Sequence, residues 1–132
     1  MTIVRVYLAA SFSRREEIKS LVPKLEGSGF ECTSSWLNSP YKDMESCPID
    51  QRHKAGRTDL CDVLRSDCLI LFNDYPSTTG GRHVETGLAI GKSIPIVLIG
   101  ERTNIFHYTG DILDVVDNFD SALIVLKRLY NV

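Results

Sequence analysis

The sequence has no closely spaced cysteine pair: Cys32, Cys47, Cys61 and Cys68 are scattered, and no C-x-x-C occurs. Structural zinc sites draw their ligands from such pairs, so no metal is expected, and four reduced thiols in a cytoplasmic protein are. Excess charge of one sign is also missing. Fifteen basic residues against seventeen acidic ones leave a net charge of −2, so no global field points toward nucleic acid or an anionic membrane. No apolar run approaches a membrane span. The first ten residues carry Arg5 inside their apolar stretch and no cleavage pattern, so a signal peptide is not expected. Repeats, linkers and low-complexity tracts are absent. A length of 132 residues suits one domain, residues 1–132, with enough chain to bury a core unaided by disulfides.

Two phosphate-binding signatures are missing as well. Gly91-Lys92-Ser93 resembles the end of a P-loop, but Thr86 stands where that loop needs its first glycine. The segment also leads from helix into strand, the reverse of what a P-loop requires. No G-x-G-x-x-G is present, so a dinucleotide cofactor has no support, and none is expected.

What is present is an alternation of β-rich runs and helical stretches, the pattern of a parallel sheet with crossover helices. Strands are expected at residues 3–10, 30–34, 68–72 and 94–99, with a possible short edge strand at 112–116. Ser13 and Glu16 form an S-x-x-E capping box opening a helix whose apolar face is Ile18, Leu21, Val22 and Leu25. Pro23 should kink or shorten that helix, and Gly27 and Gly29 end it. A polar stretch at 35–50, long for a loop in a compact domain, reads as a binding loop or lid. Helices follow at 51–66, with Leu60, Val63 and Leu64 inward, and at 83–91. The last helix carries a stripe at Phe119, Ala122, Leu123, Leu126, Leu129 and Tyr130. The sum is a single-domain, doubly wound α/β fold, flavodoxin-like or Rossmann-like, of about five parallel strands. Ligands of such sheets bind beyond the carboxyl ends of the strands, where strand order reverses.

Gly80-Gly81-Arg82-His83-Val84-Glu85 follows an apolar strand and opens a helix. Paired glycines let backbone N–H groups approach a ligand closely. Glu85 in the first turn would lie near the positive end of the helix dipole, which favours the ionised form that attack on a sugar C1′ requires. Helix complementation alone would equally explain a glutamate there. Asp59 falls at the boundary of the buried face of its helix, and Asp62 is expected to point into solvent. Ser11, Ser13, Arg14 and Arg15 follow the first strand and make a phosphate cradle, or else a helix cap with two solvated arginines. Trp36 either stacks on a base or packs its loop against the body. His53, His83 and His107 are too scattered to suggest a metal site.

With Val6-Tyr7-Leu8-Ala9-Ala10-Ser11, Arg57-Thr58-Asp59-Leu60, Ser66-Asp67 and Gly80 through Ala89, the chain resembles the nucleoside 2-deoxyribosyltransferase family, in particular its nucleotide N-glycosidase branch. The resemblance spans most of residues 4–99 and is most specific around Glu85. Beyond Gly100 only the general layout matches, with residues 104–107 where this family often reaches toward its active site. The resemblance implies Glu85 as nucleophile, Asp59 positioning or protonating the departing base, and Tyr7 beside sugar and nucleophile. Family members acting on free nucleosides carry an acid at the position of Thr79. A hydroxyl there, with Ser11, Arg15 and Arg82, favours a nucleoside 5′-monophosphate over a nucleoside. The remaining substrate contacts are expected from Trp36, Gly81 and His83. The phenol of Tyr7 leans toward the deoxy sugar. The family also implies a homodimer or larger assembly, with a small-molecule nucleotide or nucleoside as partner.

Overall fold

Burial on both faces makes a strand read as a continuous apolar run. Val6–Ala9 and Cys68–Phe72 are such runs, and every residue of the central strand is buried. The computed structural model describes residues 2–77 and 79–132; of the expected loop at 73–82, only Thr78 lies outside the described residues. Five strands, β1 (Val4–Ala9), β2 (Phe30–Cys32), β3 (Cys68–Asn73), β4 (Ile96–Gly100) and β5 (Ile112–Val116), form one parallel sheet in the order β2-β1-β3-β4-β5. The expected doubly wound sheet is therefore present, and the residues at 112–116 are its edge strand.

The helices are α1 (Arg15–Lys19), α2 (Val22–Gly27), α3 (Ile49–Leu64), α4 (Gly81–Gly91) and α5 (Phe119–Tyr130). Lys24 of α2 pairs with Asp120 of α5 on one face of the sheet, and α3 packs against α4 on the other. The core fills the space between helices and sheet. None of the helices is long and apolar enough to cross a membrane among the described residues. All four cysteines are free thiols.

Several local expectations need correction. Ser13 does not cap a helix. It lies inside a 3-10 turn, Phe12–Arg14, closed by the Arg14 N–H donating to the Ser11 carbonyl at 2.9 Å. The helix then starts at Arg15, past the reach of a serine cap. Pro23 splits the expected helix in two and occupies the first turn of α2, where its missing N–H costs nothing. Strand β4 begins two residues late because Ser93 adopts a left-handed conformation (φ 56°) and the Ile94 N–H returns to the Ala89 carbonyl at 2.9 Å. That geometry closes α4 before the strand can start. In α5, Leu129 is exposed instead of buried.

The largest correction concerns α3. Its buried residues are Asp62 and Val63, with Asp59 and Leu60 half-buried: Val63 faces inward as expected, whereas Leu64 is 47% exposed and Asp62, expected in solvent, only 5%. The rotation is tolerated because Asp62 is satisfied inside. It accepts from the Ser35 N–H at 3.0 Å and from Arg65 Nε at 3.1 Å. The corresponding stripe of α4 is Arg82, Glu85, Thr86 and Ala89. Both helices thus spend part of their buried faces on polar groups, which a protein avoids unless those groups are paired.

Candidate active site

The strand order reverses between β1 and β3: the chain leaves β1 for β2 on one side and returns across β1 to reach β3 on the other. Loops leaving these two strands diverge, which opens a crevice at their carboxyl ends. A cleft of about 620 Å³ lies there, lined from the first loop by Ser11, Ser13 and Arg14, and from the second by Phe72, Tyr75, Pro76, Ser77 and Thr79. Ser11 Oγ donates to Ser77 Oγ at 2.6 Å, and Ser77 Oγ lies 2.9 Å from Thr79 Oγ1. Arg14 lies over the Tyr75 ring at 4.5 Å and is bound by Glu17 and Asp74. Burial opposes its charge, but those two carboxylates more than offset it and hold the guanidinium protonated.

A second polar cluster is enclosed between β1, α3 and α4. Tyr7 is fully buried and its phenol donates to Glu85 Oε2. Glu85 is 8% exposed. Burial is the main reason that its carboxyl is pushed up to about 8; the Tyr7 hydrogen bond works the other way, and Asp59 and Asp62 add to the rise. Burial and then Asp62 push Asp59 up to about 6. The Tyr7 phenol is raised too, by burial first and then by Glu85 and Asp59. The sequence expectation of an ionised Glu85 in a first helical turn is corrected on both counts. Helix α4 opens at Gly81, two residues earlier than expected, so Glu85 is in its second turn. Enclosure, not the dipole, dominates its protonation.

Arg82 links the two regions. It is 5% exposed and donates to the Thr79 carbonyl at 2.8 Å and to Asn73 Oδ1 at 3.2 Å. Three residues along the same helix, a rise of about 4.5 Å, stands Glu85. Neither Glu85 nor Asp59 belongs to the lining of the cleft, so the hydroxyl-lined opening and the carboxylates are joined through Arg82 and Thr79.

The structure brings Tyr7, Asp59 and Glu85 together, and Ser11 with Thr79. Other expected ligands face elsewhere. Arg15 donates to the Ser39 carbonyl at 2.9 Å and to the Tyr41 carbonyl, and it covers the Phe12 ring. It pins the loop at 35–50, while its neighbour Arg14 takes the place in the cleft. Trp36 is 8% exposed, donates through Nε1 to the Leu8 carbonyl at 2.9 Å and packs on Phe12. Packing is the role the structure gives it. His83 turns toward His107, with ring centres 5.6 Å apart. Burial, followed by neighbouring cationic and imidazole groups, lowers both imidazoles. Gly81 is the first residue of α4, and a Cβ added there would meet nothing within 4 Å. No group of three or more metal-binding side chains occurs among the described residues.

Three participants escaped the sequence reading. Ser77 bridges the loops. Asp62 is buried where solvent was expected. Asn73, the one polar residue of β3, reaches across to β4: its Nδ2 donates to the Glu101 carbonyl at 2.7 Å and to Thr103 Oγ1 at 3.0 Å. Gly100, its partner in register, has φ 111°, and a Cβ there would collide with the Asn73 carbonyl. A polar residue closing an otherwise apolar strand was the available signal for Asn73.

No family model matches the chain, and no curated protein matches it by sequence. Solved structures do match by shape. A Clostridium botulinum CMP N-glycosidase superposes with a TM-score of 0.62 at 22% identity, covering 94% of this chain and 98% of the other. A 2-deoxyribosyltransferase from Bacillus psychrosaccharolyticus gives 0.70 at 17% identity, covering 91% and 90%. A conserved protein from Enterococcus faecalis V583 gives 0.69 at 18% identity, covering 97% and 99%. The chain therefore has the fold that these solved structures share, over nearly its whole length.

Proposed function

We propose that the protein is an enzyme hydrolysing the N-glycosidic bond of a nucleoside 5′-monophosphate, with a preference for the deoxy sugar. The observation that carries this reading is the buried Tyr7–Glu85 contact with Asp59 beside it, one helical turn from the arginine that grips the edge of the hydroxyl-lined cleft. The phosphate would enter among Ser11, Ser77 and Thr79, near Arg14, with C1′ directed toward Glu85. The Glu85 carboxylate attacks C1′ while the bond to the base breaks and its electron pair leaves with the base. Asp59 supplies the proton the base needs. Water then attacks the same carbon while giving one proton to the Asp59 carboxylate, the ester bond breaks with its electron pair returning to Glu85, and the products are free base and sugar 5-phosphate.

Proton inventory suits this scheme. Burial first, then neighbouring carboxylates, raises both Glu85 and Asp59, so the pair as a whole retains a proton closer to neutral pH than free carboxyls do. Attack requires that proton to pass toward Asp59 and the base, leaving Glu85 ionised. Similar shape to an N-glycosidase and to a deoxyribosyltransferase supports glycosyl chemistry on this fold.

The test is chromatography after incubation with a panel of ribo- and deoxyribonucleoside monophosphates. Base and sugar phosphate should appear together and vanish in Glu85→Ala, and no release from any member would overturn the proposal. Adding a second base separates the rival transferase reading, since only a transferase makes an exchanged nucleoside. A nucleotide-sensing module would bind and leave the nucleotide intact over hours. A homodimer or larger assembly and a cytoplasmic location belong to the same reading; the exposed Ile105, Phe106 and Tyr108 on one 3-10 turn support the assembly.

A further inference from the structure

We propose that His107 is a proton-operated latch on the cleft: its buried neutral ring fastens the loop leaving β4 to the arginine that holds the cleft's rim, and protonation of the ring releases that loop. This goes beyond the reaction proposed above and does not depend on it.

Geometry makes the case. His107 is fully buried on the 3-10 turn Ile105–Tyr108. Its Nδ1 accepts from the Thr103 N–H at 3.0 Å. Only a ring nitrogen with a free lone pair can accept, so the ring is neutral and carries its proton on Nε2. Nε2 lies 3.3 Å from Asn104 Nδ2, while Asn104 Oδ1 is taken by the Phe106 N–H at 2.9 Å. Neither ring nitrogen meets an acceptor oxygen among the described residues. A second proton would turn the Thr103 contact into two N–H groups facing each other, in a place closed to solvent. Thr103 passes the constraint on. Its Oγ1 accepts from Asn73 Nδ2 at 3.0 Å, Asn73 Oδ1 accepts from Arg82 Nη2 at 3.2 Å, and Arg82 Nη1 donates to the Thr79 carbonyl at 2.8 Å. A chain of hydrogen bonds thus runs from the imidazole to a residue of the cleft lining.

The charged and titratable groups that face the ring are cationic or imidazole. Arg82 and His83 come from α4, with the His83 ring centre 5.6 Å away at a tilt of 38°. From its own loop comes Arg102, whose Nε donates to the His107 carbonyl at 3.0 Å and whose guanidinium lies over the Tyr108 ring at 5.2 Å. Strand β3 offers Asn73, which is neutral, and Glu101 enters the network through its carbonyl, held by Asn73 at 2.7 Å. Burial first, then His83, Arg82 and Arg102, lowers the imidazole. The folded ring therefore resists protonation more than the unfolded one. The latch contributes in full above about pH 6.5 and is lost as pH falls through the lower folded value. The segment it releases carries the exposed Ile105, Phe106 and Tyr108.

The test uses the whole chain without ligand, titrated from about pH 8 to about pH 4. NMR of the ¹⁵N-labelled imidazoles should show His107 protonated at Nε2 alone at the alkaline end, and His107→Asn assigns its signals. Hydrogen-exchange protection of the Thr103 amide should fall about ten-fold or more where the ring gains its second proton, while Ile70 in β3 stays protected. Exchange at the Arg82 Nε–H and the Asn73 side-chain amide should quicken with the same midpoint. In His107→Asn an amide oxygen stands where Nδ1 stood and does not titrate, so Thr103 protection should stay level across the range. A proton on Nδ1 at about pH 8, unchanged Thr103 protection in the parent, a loss shared equally by Ile70, or the same fall in His107→Asn would overturn the latch. Unchanged exchange at Arg82 while Thr103 opens would overturn its link to the cleft. Should His107→Asn not fold, the parent titration decides alone. No substrate enters any of these readouts, so failure of the hydrolase reading would show separately, as a nucleotide panel left intact.

Discussion

The enclosed carboxylates and the open cleft solve opposite problems within one turn of helix α4. Tyr7, Asp62 and Glu85 sit buried on strand and helix backbones with Asp59 half-buried on the same helix as Asp62, so their positions are set by the core. Ser11, Arg14, Ser77 and Thr79 sit on loops or a 3-10 turn, bond chiefly to one another or to nearby acids, and with Ser13 face an opening. Groups that must change protonation gain from low dielectric and rigid placement, because both enlarge pKa shifts and keep reacting atoms aligned. Groups that must catch and release an anion gain from water access. The contrast teaches where to look for each kind of effect: rate and pH dependence in the first region, affinity and selectivity in the second.

The strongest way to break this division is Glu85→Ala. Base release should fall by roughly 10⁴-fold, as for loss of a covalent nucleophile, while nucleotide binding measured by calorimetry persists; unchanged turnover would remove Glu85 from the chemistry. Next comes stability. Glu85 ionises near 4.5 in the unfolded chain and near 8 when folded, so between those values the folded state binds the extra proton. Its contribution is therefore full below about pH 4.5 and is lost as pH rises through 8. Glu85→Gln should flatten that decline and raise stability at pH 8 by about 2–4 kcal/mol, read from denaturant midpoints at several pH values. Thr79→Asp should then weaken nucleoside monophosphates about thirty-fold through repulsion of the phosphate, with free nucleosides little changed; equal losses for both would refute the phosphate assignment. Arg14→Gln should raise KM about three- to ten-fold with kcat nearly constant, since Glu17 and Asp74 already take part of its charge. A matching fall in kcat would blur the two regions. Last, Ser13→Ala should shift stability by less than about 0.5 kcal/mol, because the serine caps nothing.

The succession of strands and helices along the chain was legible because apolar runs such as Cys68–Phe72 permit few alternatives, the block around Glu85 stood out by its local motif, and Tyr7 and Asp59 were singled out through the family resemblance. The face of α3 was not. Counting leucines turns Leu64 inward, whereas the cost of burying Asp62 is cancelled by Ser35 and Arg65, two partners whose proximity is a tertiary fact. The choice between Arg14 and Arg15 failed for a similar reason. Adjacent residues on a helical turn point about 100° apart, and only the position of the Ser39 and Tyr41 carbonyls decides which one is diverted. Ser77 and Asn73 act by bridging segments far apart in the chain, so local pattern could not single them out.

The side chain that ends β3 has a wider reach than its size suggests. Asn73 grips the backbone of Glu101, the hydroxyl of Thr103 and the guanidinium of Arg82 at once. The β4 exit loop and the start of α4 are thereby mechanically coupled. A substitution at Thr103, on a surface loop, removes one of the contacts that hold the very side chain to which the buried arginine of the neighbouring helix donates.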